Sequence, residues 1–238
     1  MLKAAFFDLD HTLQDLDTPF HAALRSVFGP ACHAAGVPVA ELEACLDRLW
    51  PALWARFLAG GLAPDALRVE WFAMALPAAG IPLAGDRVQR LAQCYEEAFE
   101  GGLRLYPDVL PALTALRLAR PDLPLGIVTN GPSARQRKRA AALGLGRWFE
   151  IWVISEEVGS AKPDRRIFEV ALARARVGPA EAVMVGDDPR TDVVGAQAAG
   201  LHGLWVNRGG REWPAEVGVA PDGAAADLAG AVAMICHL

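Results

Sequence analysis

The sequence predicts an α/β protein: a doubly wound parallel sheet with an all-helical segment inserted after its first strand. Three observations predict it. Beyond residue 100, short and almost continuously apolar runs alternate with helical stretches, the pattern of a parallel sheet covered on both faces. Between residues 15 and 100 apolar side chains recur at helical spacing and no β-run is visible. Small, acidic or hydroxyl residues stand directly after the apolar runs, where open α/β sheets bind ligands.

Ala4 to Leu9 is the first expected strand, with Asp8 and Asp10 at its end. Helical periodicity follows through residues 20–27, 42–49, 53–58, 67–76 and 88–99, punctuated by Gly60-Gly61, Pro64, Gly80 and Pro82. Tyr106-Pro107-Asp108 marks the return to the sheet. The second apolar run, Leu123 to Val128, ends at Thr129-Asn130-Gly131. Phe149 to Ile154 ends at Ser155, Ala182 to Val185 at Gly186-Asp187-Asp188, and Leu204 to Val206 at Asn207. This assigns residues 1–14 and 101–238 to the α/β core and 15–100 to the helical insertion.

Composition narrows the function classes. The 238 residues are 53% hydrophobic and carry a net charge of −5, a globular and mildly acidic chain. No basic tract points to a nucleic-acid polymer. The densest basic cluster, Arg135 to Arg139, reads as a solvated helix face. Cys32, Cys45, Cys94 and Cys236 form no CxxC or zinc spacing and read as reduced packing thiols. The N-terminal apolar run is broken by Asp8, so it does not read as a signal peptide. No stretch is long enough to span a membrane without charges. A cytoplasmic protein off the membrane, monomeric or homodimeric, is expected.

The strand ends supply a set of chemical groups. On a strand, residues i and i+2 face one side, so Asp8 and Asp10 converge. Two like charges that close call for a cation, and Mg²⁺ is the hard ion that takes carboxylate oxygens together with phosphate. A solvated strand end with two turn acids is the plain alternative. A carboxylate is also a nucleophile, so Asp8 can attack phosphorus in line. Asp10 can protonate the leaving oxygen and then take a proton from water. Thr129 can donate its hydroxyl to a phosphoryl oxygen, as can the N–H groups of Asn130 and Gly131 where a helix opens. Lys162 can neutralise the charge that develops. Asp187 can complete the metal site, and Asp192 can orient Lys162 or a metal-bound water.

Other residues read more plainly. Trp50, Trp54 and Trp71 are expected to pack the insertion, with Trp54 the candidate for a ring that meets the substrate. Alternation turns His11 away from the metal, and Asp15 and Asp17 read as hinge or turn residues. Arg208 and Arg211 read as solvated surface.

Asp8-Leu9-Asp10-His11-Thr12, Thr129-Asn130-Gly131, Lys162-Pro163, and Gly186-Asp187 with Asp192, in this order, resemble the four motifs of the haloacid dehalogenase-like hydrolase superfamily. The resemblance covers essentially the whole chain. It implies that the insertion is the small helical cap of that family, which closes over the site and selects substrates. It also implies an aspartyl-phosphate on Asp8 and Mg²⁺ held by Asp8, the backbone carbonyl of Asp10, and Asp187, with Asp188 helping to hold the metal's surroundings. Dehalogenase members typically lack the second acid of the first motif and need no metal. Asp10 therefore points to a phosphatase, while a phosphomutase would share the pair. Phe6-Phe7-Asp8, Ile154 to Gly159 and Leu204 to Asn207 further resemble the branch containing pyrimidine nucleoside monophosphate 5′-nucleotidases. The expected substrate is a small phosphorylated metabolite, with a nucleoside 5′-monophosphate first. A sugar phosphate or phosphoglycolate, a phosphomutase reaction and 2-haloacid dehalogenation are the alternatives, the last being the weakest.

Overall fold

The computed structural model describes residues 1–83 and 85–238. The strands, in chain order, are β1 (Ala4–Phe7), β2 (Gln14–Asp15), β3 (Arg104–Leu105), β4 (Leu125–Thr129), β5 (Ile151–Ile154), β6 (Ala182–Gly186), β7 (His202–Val206) and β8 (Gly223–Ala225). The helices are α1 (Asp17–Ala35), α2 (Val39–Leu58), α3 (Ala66–Ala78), α4 (Asp86–Gly101), α5 (Val109–Ala119), α6 (Ser133–Ala142), α7 (Ser155–Val158), α8 (Arg165–Ala175), α9 (Gly195–Ala198) and α10 (Leu228–His237). They form two compact units: Met1–Asp15 with Arg104–Leu238, and Leu16–Leu103.

The first unit holds a six-stranded sheet in the order β5-β4-β1-β6-β7-β8, parallel throughout. The chain winds outward from β1 through β4 to β5, then crosses back to β6 on the other side of β1. β1 and β6 therefore flank the point where the winding reverses, and their carboxyl ends open the crevice that binds ligands in such sheets. Side chains of β1 alternate between two cores. Ala5 and Phe7 pack with Val109, Leu113 and Leu116 of α5 and Leu228 and Ile235 of α10. Ala4 and Phe6 pack with Ile167, Phe168 and Ala171 of α8 and Ala196 of α9. Strands buried on both faces have no polar side to show, which is why they read as unbroken apolar runs.

Three elements depart from the sequence reading in ways that bear on the site or the cores. β8, Gly-Ala-Ala, has no apolar run to announce it and is an edge strand held by its ladder to β7. β1 stops at Phe7, so Asp8 and Asp10 lie in the loop beyond the strand. The periodic stretches 42–49 and 53–58 are a single helix, α2, that runs through Pro51. Proline removes one intrahelical hydrogen bond, and burial of Leu46, Leu53 and Phe57 on the same helix outweighs that loss.

The second unit is the all-helical one, α1 to α4, with its own core of Leu24, Phe28, Leu42, Leu46, Phe72, Leu76, Tyr95 and Phe99. Phe28 and Phe72 lie 4.4 Å apart by ring centroid, and Tyr95 meets Phe72 edge-on at 4.9 Å. The Arg68 guanidinium stands 4.9 Å from the Trp71 ring and 5.2 Å from that of Trp50, with Glu96 Oε2 3.3 Å from its Nε. Chain entry and exit run through the antiparallel pair β2 and β3, where Arg104 Nη2 donates to Asp15 Oδ2 at 3.1 Å. No helix among the described residues is long and apolar enough to cross a membrane.

Candidate active site

Four segments, far apart in sequence, meet at the carboxyl end of the sheet. Asp8 follows β1, its N–H continuing the ladder to Val185 O at 2.9 Å. Lys162 comes from the segment after α7, Thr129 ends β4, and Asp187 follows β6. Lys162 Nζ donates to Asp8 Oδ1 at 2.6 Å, Asp192 Oδ1 at 2.6 Å and Val128 O at 2.8 Å, which uses all three of its hydrogens. Thr12 Oγ1 lies 3.2 Å from Asp8 Oδ2 and 3.4 Å from Asp187 Oδ1. Asp192 Oδ2 accepts the Asp188 N–H at 3.0 Å, so both Asp192 oxygens are engaged. Gly186 allows that approach, because a Cβ there would collide with the Asp192 carboxylate. Asp188 caps the following π-helical turn, accepting from the N–H groups of Arg190 at 2.8 Å and Thr191 at 2.7 Å.

Asp10 faces elsewhere. Once the chain has left the strand, the i, i+2 rule no longer governs it. A tight loop forms in which Leu13 and Gln14 N–H both donate to Leu9 O at 3.0 Å, and His11 adopts a left-handed φ of 60°. The Asp10 carboxylate accepts from Gln14 Nε2 through Oδ1 and from Gln136 Nε2 through Oδ2, the latter at 2.9 Å. Arg139 Nη1 stands 3.9 Å from Oδ1. Gln136 and Arg139 are 2% and 4% exposed, so this face of the 135–139 run is not the solvated surface expected of it. One turn apart on α6, they face the site, while Arg137 on the outside pairs with Glu157. The signal was an i, i+3 pair just after a strand-end motif.

The helix after β4 opens at Ser133, two residues beyond Gly131. Gly131 sits at φ 137°, and its N–H donates to Ser155 Oγ at 2.9 Å. The Asn130 amide bridges the backbone of Lys162, donating to its carbonyl at 2.9 Å and accepting its N–H at 2.8 Å. Asn130 thus holds the segment that carries the lysine. Arg208 is tied down as well. It pairs with Asp108 at 2.9 and 3.1 Å, donates to Thr12 O at 2.9 Å and stacks over Tyr106 at 3.9 Å. Arg211 Nη2 donates to Asp187 O at 3.0 Å. In the helical unit, Trp54 stacks on Trp50 at 5.3 Å and on Phe57 at 5.1 Å, half-buried, whereas Trp71 is buried with its Nε1 on Leu46 O.

Charge at the site is one-sided. Burial pushes the Asp8 carboxyl well above the ordinary range against the pull of Lys162, and Asp192, Asp187 and Asp10 push the same way. Burial, then Asp192 and Asp188, raise Asp187 to about 7, with Lys162 and Arg211 opposing. Asp192 is raised by burial against Lys162. Burial works against the Lys162 cation, but Asp192 and Asp8 outweigh it and raise its pKa. Oxygens of Asp8, Asp187 and Asp192 all lie within 4.8 Å of one another, three carboxylates around one lysine. An all-oxygen donor set short of positive charge fits a hard divalent cation. Because Lys162 and Asp188 N–H occupy Asp192, Asp8 and Asp187 are the members best placed to hold it.

Comparison with known proteins places the chain in a family. The family profile of the haloacid dehalogenase-like hydrolases matches residues 2–200. A phosphoserine phosphatase of Thermus thermophilus is 38% identical over 95% of this chain and 96% of its own length. The pyrimidine 5′-nucleotidase YjjG of Escherichia coli is 41% identical, over 52% of this chain and 56% of its own. Among solved structures, a 2-haloacid dehalogenase from Pseudomonas syringae superposes with a TM-score of 0.67 at 33% identity, covering 100% of this chain and 99% of its own.

Proposed function

Because the chain belongs to the haloacid dehalogenase-like hydrolases, we propose that it is a Mg²⁺-dependent phosphomonoester hydrolase working through an aspartyl-phosphate on Asp8. One observation carries the reading: the Asp8 carboxylate is fixed between Lys162 and Thr12 at the reversal point of the sheet, with a second acid, Asp10, two residues on. An Asp8 oxygen attacks phosphorus and the bond to the leaving oxygen breaks. Asp10 gives that oxygen its proton. Asp10 then takes a proton from water, whose oxygen attacks the same phosphorus and frees Asp8. Lys162, oriented by Asp192, spreads the charge that builds on the phosphoryl group, and the Thr129 hydroxyl and the Asn130 and Gly131 loop line its oxygens. Mg²⁺, held by Asp8, Asp187 and the Asp10 carbonyl oxygen with Asp188 behind it, would offset carboxylate and phosphoryl charge.

The substrate is a small phosphorylated metabolite. A phosphorylated hydroxy-amino acid leads, since the phosphoserine phosphatase relative spans 96% of its length. Nucleoside 5′-monophosphates follow, since the nucleotidase match spans 56% of that protein. Trp54, which stacks on Trp50 and is half-buried like it, is the side chain proposed to meet the organic part of the substrate. The solved dehalogenase favours a second reading, halide release from 2-haloacids, which the Asp8 and Asp10 pair argues against. The test is phosphate release from phosphoserine, nucleotides, sugar phosphates and phosphoglycolate, with and without Mg²⁺, beside halide release from 2-chloropropionate. Metal-dependent phosphate release, abolished by chelation and absent in a folded Asp8→Asn variant, is expected. Metal-free halide release with no phosphate would replace the reading.

A further inference from the structure

We propose that Gln136 is a positioning residue that joins the acid–base carboxylate Asp10 to the phosphate-facing hydroxyl Thr129, which makes α6 part of the catalytic apparatus. The inference rests on Asp10 acting as the general acid. Gln136 is 2% exposed, and its Nε2 lies 2.9 Å from Asp10 Oδ2, 2.9 Å from Thr129 Oγ1 and 3.1 Å from Asn130 O. One amide nitrogen therefore reaches an acid and a hydroxyl that are 119 residues apart, together with the backbone beside the hydroxyl. Thr129 Oγ1 accepts from Gln136 and donates its own hydrogen to Asn130 O at 3.5 Å, a long bond that a phosphoryl oxygen can replace.

Room for this contact is built in. At Gly131, where φ is 137°, a Cβ would stand 3.4 Å from Gln136 Nε2. Gln14 donates to the other Asp10 oxygen, so two neutral amides bracket the carboxylate. These amides fix the direction of the carboxylate. Arg139 Nη1, from the same helix as Gln136, stands 3.9 Å from Oδ1.

Leaving groups provide the test. An alkyl phosphate needs its departing oxygen protonated, whereas p-nitrophenyl phosphate departs as a stable anion and does not. The quantity read is kcat/KM, which covers the steps through phosphoryl transfer to Asp8, for the preferred alkyl phosphate against the aryl one. General acid catalysis is worth roughly 10²–10⁴-fold. Asp10→Asn is expected to depress the alkyl ester selectively by a factor in that range. Gln136→Met, which removes the amide and keeps the volume, is expected to depress it selectively by about 10–100-fold, since the acid remains but is misdirected. If Gln136→Met does not fold, Gln136→Asn, with the amide kept and its reach shortened, is expected to show the same selectivity. Equal losses for both esters in the Gln136 variants, with selective loss in Asp10→Asn, would overturn the coupling alone. No selectivity in Asp10→Asn would overturn the assignment of Asp10, and the coupling with it.

Discussion

Lys162 bonds the carboxylates of Asp8 and Asp192 at once, and it is 3% exposed. Removing its charge leaves two buried carboxylates without their partner, a change that costs about 3–5 kcal/mol where one half of a buried pair is deleted. Lys162→Met is therefore expected to lower the unfolding free energy, read from denaturant titration, by an amount in that range. It is also expected to cut kcat by about 10²–10³-fold under conditions where the variant is folded, as loss of a single charge-stabilising donor does. Full activity with unchanged stability would contradict its place in the site. Asp8, Asp10 and Asp187 were legible in the sequence because each is a chemically distinctive side chain just past an apolar run, and Lys162 because of the Lys-Pro motif it shares with the family it resembles. Gln136 and Arg139 were not. They sit in a hydrophilic helical stretch, and the partner they share, Asp10, lies 126 residues from Gln136. Arg208 was read as solvated surface for the same reason, since its partners Thr12 and Asp108 are distant in sequence.

Among the elements, the loop after β1 is the one whose conformation decides the chemistry. Arg208 fixes it through Thr12 O and fixes the start of α5 through Asp108, whose Oδ2 also accepts the Leu228 N–H at the start of α10 at 2.7 Å. Burial opposes the charge on Asp108, but the hydrogen bonds from Arg208 and Leu228 and the guanidinium charge outweigh it and lower its pKa from 3.8. The unfolded chain thus binds more protons at this position. The contribution to stability is complete above 3.8 and fades as pH falls through the lowered folded value. Asp108→Asn is expected to cost about 1–3 kcal/mol at neutral pH, with the gap to the parent protein closing in acid below that point. A gap that persists unchanged in acid would assign the clamp to shape rather than charge. The five apolar strands were legible because burial on both faces leaves an unbroken hydrophobic run. β8 was not, because its three small residues owe their extended form to the neighbouring β7.

At the scale of the whole molecule, the chain forms two units, each with its own core. The periodicity of residues 15–100 carried the helices but not the facing of their side chains, because alanine and leucine, 24 of the 68 residues in α1 to α4, blur the apolar face. Phe72, buried at the centre of the helical core, is expected to cost about 3–5 kcal/mol when changed to alanine. Hydrogen exchange is expected to show that loss of protection in Leu16–Leu103 and much less of it in the sheet. Uniform loss across both units would mean that they unfold as one. The most direct measurement is mass spectrometry of the enzyme quenched in acid during turnover of its best phosphomonoester. The expected result is a peptide carrying Asp8 that has gained one phosphoryl group, with no such gain in Asp8→Asn. Steady phosphate release with no phosphorylated Asp8 peptide, under quench conditions that preserve a control acyl phosphate, would contradict the aspartyl-phosphate mechanism.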